Sequence, residues 1–266
     1  MNSYERAFHE TLYALGQEHL DNLIVVGGWC PYLYATYVWD REAPFPSTVD
    51  IDFAVKKMSP DKFSESVYKK LVAANLVPRK MDLDDQNRVQ FAYISDRLLI
   101  PVEFITTPSV LPKGQKILLK PYVACDPVPE VDVALKTDPI RQVVRYKDKN
   151  LNIQIASPAA FIVVKGLLLK HRVNTQKLPK DLASIAFILR YEPQLLRLLD
   201  EVAMLRKHES FKEFCEILKE LFQEREDRAY GMLEPFFKQW GVSEDSIREQ
   251  IKKTFDPLFG VIDTIF

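Results

Sequence analysis

Apolar residues recur at spacings of three and four over residues 3–19, where Tyr4, Phe8, Leu12 and Leu15 share a stripe and Glu5, Arg6, Glu10 and Glu18 fall elsewhere. That period predicts an amphipathic helix. The pattern then changes to an unbroken run, Leu23-Ile24-Val25-Val26, which predicts a buried strand closed by Gly27-Gly28. Residues 32–37 continue helically towards a loop at 40–47 that holds Pro44 and Pro46. From Val49 to Val55 the period becomes two: Val49, Ile51, Phe53 and Val55 alternate with Asp50 and Asp52, so a strand here sets both carboxylates on one face.

Residues 60–74 predict a helix, with Pro60 near its start and Phe63, Val67 and Leu71 on one stripe. Strands are expected at 88–94 and 98–105, joined by Asp96-Arg97 as an antiparallel hairpin, with Glu103 between Val102 and Phe104. Seven prolines between Pro101 and Pro139 argue for loops and short strands in that region. Short strands at 142–146 and 151–155 flank a turn-like Lys147–Asn150. Ser157 is a plausible N-cap with Pro158 at the first helical position, and leucine-rich stretches follow at 158–172, 180–190, 193–206, 210–226, 228–240 and 243–253. The expected fold class is therefore α+β: a small mixed sheet with flanking helices, then a C-terminal helical bundle, with domains at 1–156 and 157–266.

Composition narrows the classes. A chain of 266 residues, 47% hydrophobic and 27% charged, has the make-up of a soluble globular protein. Its net charge of −1 gives no global signature of nucleic-acid affinity, so any such partner needs a local patch. Arg141–Lys149 is too mixed in charge to be a basic tail. Three distant cysteines, Cys30, Cys125 and Cys215, fit neither a disulfide framework nor a metal cluster, which suggests a reducing cytoplasm. The N-terminus lacks a signal-peptide pattern, and the uncharged stretch 22–39 is interrupted by Gly27-Gly28 and Pro31, against a membrane span.

The chemistry lies in a set of residues whose members are each ambiguous alone. Gly27-Gly28 after a strand is either a tight turn or a turn that offers backbone N–H groups to phosphate. Asp50 and Asp52 are either a solvated edge or a cation site, and their apolar neighbours favour the second because buried charge is costly unless paired. Glu103 is a third acid in the same setting. Magnesium suits such carboxylates when substrate phosphates complete its shell.

In order, the apolar strand, Gly27-Gly28, Thr48-Val-Asp50-Ile-Asp52-Phe and Glu103 resemble the nucleotidyltransferase superfamily that includes DNA polymerase β, over roughly residues 20–105. The resemblance implies a nucleotidyltransferase sheet and transfer of a nucleoside monophosphate from an NTP such as ATP, with Mg²⁺ or Mn²⁺ and release of pyrophosphate. Downstream, SPAAFIVVKGLLLKHR and LPKDLASI are similar to elements of the AbiEii-type nucleotidyltransferases, toxin components of bacterial toxin–antitoxin systems. Lys165 and Arg172, seven apart, would share a helical face towards a triphosphate, and Lys180 and Asp181 would open the next helix, Asp181 favouring its dipole. Trp29 after Gly-Gly is closer to the Gly-Gly-Trp of small antibiotic nucleotidyltransferases, and Pro46-Ser47-Thr48 replaces a basic residue often found before the Asp pair.

These resemblances imply that Asp50, Asp52 and Glu103 hold metal, and that Gly27, Gly28, Thr48, Lys165 and Arg172 contact nucleotide. Trp29, Lys180 and Asp181 would be accessory. The leading expectation is an AbiEii-like enzyme acting on an RNA or protein hydroxyl, with a possible antitoxin partner and no membrane association. A small-molecule adenylyltransferase and a non-catalytic nucleotide-binding module are the alternatives.

Overall fold

The computed structural model describes residues 3–42, 50–56, 60–80, 89–95, 98–107, 118–119, 123–172, 176–224 and 226–265. Its contacts divide into two compact units, Met1–Cys30 with Thr48–Ala156, and Pro31–Ser47 with Ser157–Phe266.

The first unit carries α1 (Ser3–Leu15), α2 (Gln17–Leu20), β1 (Leu23–Val26), the start of α3 (Cys30–Leu33), β2 (Ile51–Val55), α4 (Pro60–Ala73), β3 (Val77–Lys80), β4 (Val89–Ser95), β5 (Leu98–Thr106), β6 (Leu118–Leu119), β7 (Val123–Pro127), α5 (Asp132–Lys136), β8 (Ile140–Tyr146) and β9 (Lys149–Ile155). Among the described residues the main strand path runs β3-β4-β5-β2-β1-β9-β8, and β7 pairs with both β5 and β6. β2 is antiparallel to β1 and parallel to β5, while β1 is parallel to β9, so the sheet is mixed. β4 and β5 form the expected antiparallel hairpin, with β4 pairing to Leu98–Val102 and β7 to Phe104–Thr106.

Each sheet face follows from the alternation of the strands. Val25, Phe53 and Phe104 are aligned across β1, β2 and β5, and the two phenyl rings stack at 5.8 Å. α1 covers this face: Ala7, Phe8, Leu12 and Leu15 are buried, His9 stacks on Tyr146, and Glu10 accepts a 2.9 Å hydrogen bond from the Tyr146 hydroxyl. Burying such apolar side chains contributes about 1.5–3 kcal/mol each. In α4, Val67 and Leu71 are buried as the stripe predicts, while the side chain of Phe63 lies outside those described.

In the second unit, α6 (Pro158–Leu168), α7 (Lys177–Tyr191), α8 (Leu195–Met204), α9 (Phe211–Lys219), α10 (Glu226–Gln239) and α11 (Ile247–Ile265) form the helical bundle. α6 is its centre, buried from Pro158 to Leu167 and capped by Ser157, whose Oγ accepts from the Ala160 N–H at 3.2 Å. A Cβ on Gly166 would stand 2.4 Å from the Phe214 ring, so glycine lets α9 approach α6 closely. α11 runs through Pro257 to Ile265, twelve residues past the expected end at 253. The uncharged stretch 22–39 breaks into β1, a 3₁₀ turn, α3 and a π turn, and among the described residues no helix is long and apolar enough to cross a membrane.

Candidate active site

β1 ends at Val26, which pairs with Asp52 on β2, and Asp52 in turn pairs with Glu103 on β5. Directly paired residues on neighbouring strands lie about 4.8 Å apart and share a face, so two carboxylates stand side by side on the sheet face opposite the Phe53–Phe104 stack. Both are half-buried, as is Asp50, one residue ahead of β2.

The chain leaves β1 through Gly27 with φ +71°, in the left-handed region. A Cβ here would meet the Asp52 carboxylate, 1.8 Å from Oδ2, so only glycine allows this backbone to pass so close. Gly27–Trp29 form a 3₁₀ turn in which Gly28 is half-buried. The turn and the paired acids therefore form one local structure, built from three neighbouring strands. Trp29 points elsewhere: it is 2% exposed and stacks on Phe8 at 4.6 Å, a packing contact with α1. Thr48 lies outside the described residues.

Asp126 was not anticipated. It pairs with Ile105, two residues beyond Glu103, and so lies on the acid face. The sequence carries no period-two signal for it, because Val123-Ala124-Cys125 is a short apolar run without alternation, set among prolines. Its neighbour Cys125 points into the core, where burial pushes the thiol up to about 12 and the Asp126 charge adds to the effect. Burial likewise raises Cys215 to about 11, so neither is a reactive thiolate.

Lys165, Arg172 and Asp181 come together in the second unit. Lys165 Nζ donates to Asp181 Oδ1 at 2.6 Å, and an Arg172 guanidinium nitrogen lies 2.8 Å from Oδ2. The expected common helical face is corrected here, because α6 stops at Leu168 and a 3₁₀ turn carries the chain to Arg172. Both cations reach the same carboxylate. Asp181 does not open its helix either: α7 starts at Lys177, Asp181 is 3% exposed, and its role is the ion pair rather than the dipole. Lys180 is exposed.

Among the described residues no three His, Cys, Asp or Glu side chains are gathered into a group that could hold a metal. The Asp52–Glu103 pair still fits magnesium, which is held by one or two carboxylates and substrate phosphates rather than by an all-protein cage.

A sequence model described as Nucleotidyltransferase matches residues 7–205, three quarters of the chain and every element of this site. The chain belongs to the nucleotidyltransferase family. No curated protein matches it. Solved structures similar to this nucleotidyltransferase include a putative nucleotidyltransferase from H. pylori, at 12% identity and TM-score 0.46 over 100% of this chain and 97% of that one. JHP933 from Helicobacter pylori is similar at 12% identity and TM-score 0.42 over 98% and 91%. An antigenic nucleotidyltransferase-like protein from Paracoccidioides brasiliensis is similar at 11% identity and TM-score 0.41 over 80% and 93%.

Proposed function

We propose that this nucleotidyltransferase moves a nucleoside monophosphate from an NTP to an acceptor hydroxyl at the Gly27–Asp52–Glu103 site, with Mg²⁺ or Mn²⁺. The observation that carries the reading is the alignment Val26–Asp52–Glu103, with Gly27 pressed against the Asp52 carboxylate. Gly27 and Gly28 would present backbone N–H groups to the phosphates at close range, which a side chain would block. Asp52 and Glu103 would hold the divalent cation, with Asp50 one residue ahead of β2 adding negative charge nearby, and the cation would neutralise charge on the triphosphate and the leaving pyrophosphate. Glu103 would accept the proton of the acceptor hydroxyl as its oxygen bonds to the α-phosphorus and the bond to the bridging oxygen breaks. Pyrophosphate then leaves.

We propose a phosphate-binding role for Lys165 and Arg172, which in the second unit share one carboxylate, Asp181. With Asp181 they make a cluster with one more positive than negative charge, and the Arg172 side chain is 24% exposed. The cellular role in this reading is AbiEii-like, as the toxin of a toxin–antitoxin pair in the cytoplasm. The described cysteines form no disulfide with one another, in keeping with that compartment.

Titration calorimetry with each NTP tests the site. Binding is expected in Mg²⁺ or Mn²⁺ and to be lost in EDTA, because the carboxylates and the triphosphate repel one another without a cation. Equal affinity in EDTA would contradict the proposal.

A further inference from the structure

The mixed charges of 141–149 sort by face once β8 and β9 are paired. Arg141, Val143 and Arg145 alternate on β8 opposite Gln154, Asn152 and Asn150 of β9. The register Val25 to Ile155 sets Gln154 beside Ile24, and Ile24 pairs with Ala54, two residues along from Asp52. The arginines therefore lie on the same face of the same sheet as Asp52 and Glu103, opposite the face that α1 covers. Strand spacing and rise put Arg141 about 16 Å from Asp52, with Arg145 about 13 Å further along β8.

On β8 and the start of β9 this face is exposed and positive, while Gln154, Ile24 and Ala54, nearer the acids, are buried. Arg141, Arg145, Asn150 and Asn152 are exposed, and Val143 between the arginines is 54% exposed. Neither arginine makes an ion pair among the described residues. Lys56 adds a third cation, with its ammonium on the Gln154 side-chain oxygen. Burial lowers the pKa of Lys56 and the nearby Arg141 charge lowers it further, with Asp138 opposing, so like charges are held together at some cost. β8 is the end of the strand path, an edge among the described residues.

We infer that the outer face of the β8–β9 ribbon binds the sugar–phosphate backbone of an RNA acceptor, about 16 Å from Asp52 at its nearer arginine. The inference rests on the transferase reading and specifies its acceptor. Charge complementarity selects a polyanion, and a chain of net charge −1 can bind one only through such a local patch. The amides of Asn150 and Asn152, on the strand beside the arginines, offer both donor and acceptor, which suits the 2′-hydroxyl that separates RNA from DNA.

The test is fluorescence anisotropy of a labelled short single-stranded RNA with the whole protein, in EDTA and without nucleotide, across a salt series. Wild type is expected to bind with a steep salt dependence. The double variant Arg141→Ala with Arg145→Ala, both at exposed sites, is expected to bind about tenfold or more weakly, with the salt slope reduced by about 0.7 per arginine. Undiminished binding by the variant, no binding by wild type, or equally tight binding of DNA of the same sequence would each overturn the inference. Calorimetry with NTP and Mg²⁺ on both proteins separates the two readings. NTP binding with RNA affinity indifferent to the arginines removes the RNA surface alone. Arginine-dependent RNA affinity without NTP binding removes the transferase reading and leaves the surface in place.

Discussion

At Gly27 a single hydrogen in place of a side chain decides whether the turn can lie against Asp52. The residue has φ +71°, and a Cβ would overlap the carboxylate at 1.8 Å, so Gly27→Ala is both strained and obstructed. Left-handed strain at a non-glycine costs about 1–3 kcal/mol, and the carboxylate must also move away from its place beside Glu103. The expected outcome is a lower melting temperature together with loss of NTP binding in Mg²⁺. A variant that melts and binds as wild type does would mean that the close approach is not needed. Gly28 does not share the positive φ, although in the sequence the two glycines are indistinguishable.

Between elements, the tie from α6 and its 3₁₀ extension to α7 is the Lys165–Asp181–Arg172 cluster. Removing one partner of a buried ion pair leaves a charge uncompensated and costs about 3–5 kcal/mol. Asp181→Ala is therefore expected to destabilise the protein by that amount in denaturant melts with or without nucleotide. A loss under ~1 kcal/mol would show the cluster to be solvated, as exposed pairs are. Periodicity made most elements readable. The stripe of α1, the alternation of β2 and the Ser157-Pro158 start of α6 lie where the pattern predicts them. Pairing was not readable, because period two says which residues share a face of one strand but not which strand lies beside it. The sequence therefore marks Asp50, Asp52 and Glu103 as one set, whereas the direct alignment of Asp52 with Glu103, Asp126 on the same face and the convergence of Lys165 and Arg172 on Asp181 need the tertiary structure. Pro257 reads as a stop, yet α11 continues through it, because packing of a helix face outweighs one lost backbone bond.

Over the whole molecule, near neutrality hides a separation of charge. In the first unit, Asp52 on β2 and Glu103 on β5 lie side by side, and arginines line β8 on the same face of the sheet. Composition averages this away, so the net charge of −1 excludes a uniformly basic surface and nothing more. Cysteine count was more direct: three distant residues predict no disulfide framework, and Cys30, Cys125 and Cys215 are buried and not joined to one another. The family match runs through Leu205, so it spans the sheet unit and the first helices of the bundle, while α9 to α11 lie beyond it.

The central claim is that the paired acids exist for a cation and a triphosphate, and the sign of a stability change tests it. Asp50→Asn and Asp52→Asn each remove one of several like charges held on or beside one sheet face. Thermal melts of wild type and both variants would be compared in EDTA and in Mg²⁺ with NTP. If the acids serve metal, each variant in EDTA melts level with or above wild type, because repulsion is relieved. The stabilisation of wild type by Mg²⁺ and NTP, about 2.7 kcal/mol at a hundredfold excess over Kd, is then largely lost. If the acids are structural, both variants lose about 1–3 kcal/mol in EDTA and in Mg²⁺ alike, and that result would contradict the account.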